Sequence, residues 1–203
     1  MSRRPPAHRT PATNVHPLLE QAVGLHQAGR IAEAAGIYEK IIAQAPDHFD
    51  ATHLLGVIAL QEGRLEQAQN LIAAALRINP NDTAALNNLG TVHLRNHELE
   101  VAHKHFERAV KLKPDDGDAW SGLAFTASEN KQYQVALNAL FMRSKYLSET
   151  PATYFLWATS YDSLHLSKQA QDYYHKFLTA ADGKFPDQEW QARHRLVALG
   201  GSN

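Results

Sequence analysis

Apolar side chains along the chain recur at steps of three and four rather than in alternation. Between residues 83 and 116 they fall at Leu86, Leu89 and Val92, and after a polar break at Asn96-His97 they resume at Leu99, Ala102, Phe106, Ala109 and Val110. This spacing lines one stripe of an α-helix and would scatter over both faces of a strand. Two amphipathic helices separated by a short turn are therefore predicted. Pro114-Asp115-Asp116 closes the pair, because proline interrupts helix continuation and an aspartate can cap the helix that follows.

The same pattern returns along most of the chain. Pro46, Pro80 and Pro114 stand 34 residues apart, and Ala34, Ala68, Ala102, Ala136 and Ala170 keep that step through five units. A second series of small residues, Ala22, Gly56, Gly90, Ala124 and Ala158, keeps it too, and sixteen positions beyond each comes a bulky residue: Tyr38, Ile72, Phe106, Leu140 and Tyr174. A fixed period of this length is the mark of a repeat architecture. Breaks within the units fall at Ala28-Gly29-Arg30, Glu62-Gly63-Arg64 and Asn130-Lys131-Gln132, where Gly or Asn is expected to take the left-handed conformation that ends a helix. Between units, Pro46-Asp47, Pro80-Asn81-Asp82 and Pro114-Asp115-Asp116 offer Asp or Asn as caps.

A hairpin of two helices cannot bury both of its faces, so neighbouring hairpins must stack to complete a core. The small residues belong where paired helices cross, since a larger side chain would force the backbones apart at about 1 to 3 kcal/mol. The predicted organisation is residues 1–14 as a flexible basic, proline-rich tail, then five hairpins at 15–48, 49–82, 83–116, 117–150 and 151–184. Residues 185–200 form a capping helix, and 201–203 form a short tail. In the cap, Trp190, Leu196, Val197 and Leu199 are expected to pack inward while Gln191, His194 and Arg195 face water.

These positions resemble the tetratricopeptide repeat, a 34-residue helical hairpin with a small residue in helix A, an alanine early in helix B, a bulky residue after it and a closing proline. Leu86, Leu89, Gly90, Ala102, Phe106, Ala109 and Pro114 match it in the third unit, and Trp120, Leu123, Ala124, Ala136 and Leu140 in the fourth. The departures are Gln21 for a leucine, Arg143 for a small residue, and Ser148 and Asp182 where proline is usual, so interrupted packing is expected there. The resemblance implies an all-α, right-handed α-solenoid of stacked helix-turn-helix hairpins. It also implies a concave groove lined by helix A residues that holds a peptide or protein segment.

In repeat phase, one row along that groove reads Leu19, His53, Asn87, Ser121 and Phe155, and a second reads Val23, Val57, Thr91, Phe125 and Thr159. The candidate binding residues are Leu19, Val23, His53, Val57, Asn87, Asn88, Thr91, Phe125 and Phe155. Phe125 and Phe155 stand out because the repeat core asks for no aromatic at either place. Two readings fit them: exposed hot spots for a partner, or members of an aromatic-rich C-terminal core, since 14 of the 17 Phe, Trp and Tyr residues lie from Trp120 onward. Asn87 and Asn88 carry amides that suit a peptide backbone, yet Glu20, Leu54, Gly122 and Leu156 interrupt any asparagine ladder in the phase of Asn88. Leu19, Val23, Leu54 and Ala84 stand where a clamp for a chaperone's C-terminal carboxylate would need basic or amide groups. Trp157, Tyr161, Tyr174 and Phe177, which could suggest a ligand cage, fall on core positions of the fifth unit.

Composition narrows the chemistry. The formal net charge is −1, with 20 Lys and Arg against 21 Asp and Glu, and this offers no broad positive field for nucleic acid. The absence of cysteine removes disulfides, thiolate metal sites and a thiol nucleophile. Of the 12 histidines, His93 and His97 are four apart, but His97 falls at the turn and no H-E-x-x-H arrangement occurs, so no metal is expected. No phosphate-binding loop, nucleophile elbow or dinucleotide fingerprint is present, and no apolar run approaches the ~20 residues that cross a bilayer.

The expectation is a soluble, cytoplasmic, non-catalytic adaptor with a protein or peptide partner, no cofactor, no nucleic acid and no membrane insertion. Homo-oligomers through apolar end units are open to it. An alternative from a different class is a stand-alone regulatory or substrate-recruiting arm for a separate glycosyl- or sulfotransferase.

Overall fold

The computed structural model describes residues 14–200. The tails expected at 1–14 and 201–203 lie outside the described residues, apart from Asn14. The described residues form eleven α-helices: α1 (His16–Gln27), α2 (Ile31–Gln44), α3 (Phe49–Gln61), α4 (Leu65–Ile78), α5 (Thr83–Arg95), α6 (Leu99–Leu112), α7 (Gly117–Glu129), α8 (Tyr133–Ser144), α9 (Pro151–Ser163), α10 (Ser167–Ala181) and α11 (Pro186–Gly200). Each odd-numbered helix up to α9 packs on the helix that follows it, and α11 packs on α10. Two compact units result, one through Pro80 with α1–α4 and one from Asn81 with α5–α11. Among the described residues no helix is long and apolar enough to cross a membrane.

The core of the first unit is built from Ala22, Ala34, Tyr38, Ile41, Ala51, Leu55 and Ile58. Gly56 lets α3 meet α4 closely: a Cβ there would stand 2.7 Å from Ile72 Cγ1. In the second unit the buried ring of Phe106 on α6 has glycines on two sides. A Cβ on Gly90 would come within 2.8 Å of it, and one on Gly122 would collide with it outright. The second contact was not foreseen from the sequence, where Gly122 enters only as the residue in the phase of Asn88.

The turn inside each hairpin is built the same way five times. Gly29, Gly63, His97, Lys131 and His165 all take positive φ, from 58° to 75°. The next residue then donates its amide five residues back, as in Arg30 to Leu25, Arg64 to Ala59, Glu98 to His93, Gln132 to Ala127 and Leu166 to Tyr161, at 2.8–3.0 Å. That bond satisfies a helix-end carbonyl. In the fourth turn the expectation of a left-handed Asn is corrected: Asn130, like Asn96 in the third, caps its helix at negative φ, and the residue after it turns. Position in the repeat decides, and the closing bond outweighs the roughly 1–2 kcal/mol that a left-handed non-glycine residue costs.

Capping follows the expected logic with one change. Asp82 and Asp116 accept from the amides of Ala85 and Ala119 at 2.8 and 3.0 Å. At α3 the cap is His48 rather than Asp47, its Nδ1 accepting from Ala51 at 3.3 Å. The helix starts one residue later than an Asp47 cap would require.

Arg143 explains how the fourth hairpin manages without its closing proline. Its side chain is buried and donates to Ser121 Oγ and the Ser148 carbonyl at 3.0 Å, and reaches the Leu147 carbonyl and Glu149 Oε2 at 3.5 Å. The α8–α9 connection is thus tied from within, where interrupted packing was expected. The C-terminal helix also differs from expectation. Leu196 and Leu199 pack against the core of Ala158, Ala170, Tyr174 and Phe177, together with Ala192, but Trp190 and Val197 are 67% and 77% exposed. Arg195 does not simply face water, because it pairs with Asp162. The inward face of α11 is set by small Ala192 and the two leucines, which leaves Trp190 and Val197 on the other side.

Candidate functional site

Two helices of the second unit present the site. α7 starts at its Asp116 cap, and α9 starts at Thr150, where a reciprocal capping box with Thr153 and Pro151 in the first turn fixes the helix start. Residues four apart share a helix face, so Ser121 and Phe125 lie together on α7, as do Phe155 and Thr159 on α9. These four line one cavity of about 670 Å³, with Tyr133 from α8, Phe177 from α10, and Phe185 and Gln188 at the start of α11.

The two phenylalanines singled out by the sequence meet here in different conditions. Phe125 is 41% exposed. Phe155 is half-buried, its ring 4.9 Å from Phe177 and 6.3 Å from Tyr174, and it packs on the core of α9–α11. Phe125 is thus exposed to solvent, whereas Phe155 joins the aromatic-rich C-terminal core. Phe177 in turn lies 6.4 Å from Phe185, so a run of aromatic rings crosses the cavity floor. Phe185, Tyr133 and Gln188 were not anticipated. Phe185 precedes Pro186 at the entry to the last helix, outside the repeat phase, and no periodic signal marks it.

Three polar side chains of the wall are bonded to protein groups. Ser121 Oγ donates to the Gly117 carbonyl at 2.9 Å and accepts from Arg143. Thr159 donates to the Phe155 carbonyl at 3.0 Å, and Thr153 to the Thr150 carbonyl at 2.9 Å. Ser128 and Glu129 near the end of α7, Lys131 beyond it and Ser163 at the end of α9 also contribute to the lining.

The remaining candidate residues do not line this cavity. Leu19 and Val23 are half-buried on α1, Leu19 against the core of the first unit. His53 on α3 is buried with its ring 5.5 Å from Phe49, and Val57 is half-buried. Asn87, Asn88 and Thr91 are half-buried on α5, where Thr91 donates to the Asn87 carbonyl at 3.0 Å. The aromatic group of the fifth hairpin is packing material: Trp157, Tyr161 and Tyr173 stack with centroids 5.1–5.7 Å apart. Burial pushes the hydroxyls of Tyr161 and Tyr173 up from their ordinary pKa.

Three histidines of the third hairpin are engaged with protein groups. His93 Nδ1 contacts the Glu98 carboxylate and its ring stacks on His105, with centroids 5.3 Å apart. His103 Nδ1 lies 3.2 Å from Thr126 Oγ1. Burial, with His93 and Arg108 nearby, holds the His105 imidazole below its ordinary pKa.

Eleven helices arranged as successive hairpins define an all-α helical-hairpin solenoid, the fold of a protein-interaction scaffold. Two tetratricopeptide-repeat family profiles match the chain, over residues 25–91 and 83–116. It is a tetratricopeptide-repeat protein. Solved structures share the fold at low identity. YrrB, described as a tetratricopeptide-repeat protein with an unusual peptide-binding site, is 16% identical with a TM-score of 0.77, over 89% of this chain and 92% of its own. MamA is 18% identical with a TM-score of 0.70, over 83% and 92%. PilF of Pseudomonas aeruginosa is 18% identical with a TM-score of 0.67, over 91% and 87%. No curated protein matches the chain significantly in sequence.

Proposed function

We propose that this chain is a non-catalytic adaptor that holds a segment of another protein in the cavity between α7 and α9. The observation that carries this reading is that the exposed ring of Phe125 and the half-buried ring of Phe155 line one cavity of about 670 Å³. Aromatic side chains in a concave, mostly apolar site are the usual anchors of a protein interface. Support also comes from the fold shared with YrrB, whose description names a peptide-binding site. The groove residues of α5, Asn87, Asn88 and Thr91, serve as secondary contacts in this proposal, and the cavity in the second unit is the principal one.

Affinity capture on the full chain, compared quantitatively with Phe125→Glu, tests it. Partners retained by the wild type should be lost from the variant, while helical circular dichroism and the melting temperature stay unchanged because the ring is exposed. Equal retention by both proteins would overturn the assignment.

A further inference from the structure

We propose that Gln188 is a specificity-determining residue of the α7–α9 cavity, its side-chain amide held free for an amide group of the occupant; this rests on the binding role proposed above. The carbonyl of Phe185 accepts from the Glu189 amide at 2.8 Å, which makes Phe185 the N-cap of α11, Pro186 its first residue and Gln188 its third. A glutamine at the third position ordinarily reaches back to the N-cap amide. Thr153 does so at the same position of α9, where its hydroxyl accepts from the Thr150 amide at 2.8 Å. In α11 the neighbouring Glu189 takes that amide instead. Its Oε1 accepts from the Phe185 N–H at 3.4 Å, while Oε2 accepts from Arg193 at 2.8 Å. Glu189 is only 3% exposed, because Ala192 and Leu196 share its helix face and pack on the core of α9–α11. Gln188 stands about 100° round the helix from that face. It lines the cavity, and among the described residues its amide bonds no protein group.

A primary amide both donates and accepts in one plane, so a second amide matches it with a bond in each direction. A carboxylate brings only acceptors and an ammonium only donors. Ser128, Tyr133 and Ser163 also line the cavity, but a hydroxyl turns its proton to suit either kind of partner. Glu129 and Lys131 add one charge of each sign, so the lining has no net charge with which to select a charged group. The discriminating polar contact therefore falls to Gln188, three residues from the Phe185 ring that helps take the apolar part of the occupant.

Titration of the full-length protein with naphthylacetamide and with methyl naphthylacetate, which accepts but cannot donate, tests this by ligand NMR. The ratio of the amide's affinity to the ester's should fall about five-fold in Gln188→Leu, the fold-change of one net hydrogen bond, with the melting temperature unchanged. Glu189→Ala should lower the ratio in the same way, because Gln188 then turns back to the Phe185 amide. Glu189→Gln, which keeps the accepting oxygen, should preserve it. Gln188→Leu decides should Glu189→Ala fail to fold. An unchanged ratio in Gln188→Leu would overturn the role of Gln188, and loss of both probes in Phe125→Glu would then leave the binding site itself standing. Probes that do not bind, or that bind Phe125→Glu as tightly as the wild type, would overturn both.

Discussion

Arg195 grips Asp162 through both carboxylate oxygens, Nε to Oδ2 and Nη2 to Oδ1, each at 2.7 Å, and the Tyr174 hydroxyl donates to the same Oδ2 at 3.0 Å. Three helices meet in this cluster: α9 supplies the acid, α10 the phenol and α11 the guanidinium. The hydrogen bonds from Arg195 hold the Asp162 carboxyl below its ordinary pKa, and burial together with the Asp162 charge pushes the Tyr174 hydroxyl up. Bidentate pairing of this kind fixes orientation as well as distance, so it sets the angle at which the last helix closes the stack.

Asp162→Asn should therefore loosen α11. A charged hydrogen-bonded pair is worth about 1.5–3 kcal/mol, and with the Arg195 side chain 42% exposed solvent screening brings the expected loss to about 1–2 kcal/mol. Urea unfolding reads the loss, and amide exchange should show faster opening in α11 than in α7. An unchanged midpoint and unchanged exchange would show that the leucines alone hold the helix.

Acid should weaken the protein in two separate windows. His105 has a folded pKa below its ordinary value of 6.5, so the folded state resists its protonation. Its stabilising contribution is complete above about 6.5 and is lost as pH falls from there toward the folded pKa. Asp162 carries the same sign at lower pH: its contribution is complete above about 3.8 and is lost as pH falls through the folded pKa. The melting temperature should be lower at pH 5.5 than at pH 7.5, and His105→Gln should reduce that difference. An identical difference in the variant would assign the effect to another histidine.

The hairpins were legible because packing repeats. Ala34, Ala68, Ala102, Ala136 and Ala170 recur in phase, and all are fully buried, since a helix crossing leaves little room for a larger side chain there. What escaped the pattern is what happens once. Arg143 reads as a break in the small-residue series, and only the path of the α8–α9 connection shows three acceptors waiting for its guanidinium, with Ser121 on α7 as a fourth. Phe185 stands outside the repeat phase, although it helps form the candidate cavity. Trp190 reads as core from its hydrophobicity, but which face of the last helix turns inward is decided by its neighbours in space. Phe125 and Phe155 could be flagged as unusual, and separating the exposed ring from the packed one required their surroundings.

The glycines should divide sharply on substitution by alanine. In a helix interior that change brings about 1 kcal/mol from backbone entropy. A Cβ on Gly24 meets nothing within 4 Å, so Gly24→Ala should raise the melting temperature. At Gly122 the added methyl meets the buried Phe106 ring, which Gly90 already confines from another direction. Overpacking of about 1–3 kcal/mol outweighs the entropic gain, and Gly122→Ala should lower it. The opposite ordering of the two variants in thermal unfolding would mean that Phe106 has room to move aside.

Replacing Arg143 tests whether the fourth hairpin depends on its buried guanidinium. Arg143→Ala leaves the carbonyls of Leu147 and Ser148 and part of the Glu149 carboxylate without donors, in a place where the arginine side chain was only 6% exposed. Losing one member of such a buried set costs about 3–5 kcal/mol. Arg143→Lys should recover little of it, because a single ammonium cannot reach Ser121 on one side and the α8–α9 connection on the other, whereas a planar guanidinium offers donors in several directions. Glu149 also accepts from Trp157 Nε1 at 3.3 Å, so the emission of that tryptophan should shift in Arg143→Ala before the global transition in a denaturant titration. If Arg143→Lys proves as stable as the wild type, the network is electrostatic rather than geometric, and the connection is held by Leu147 packing over Gly117.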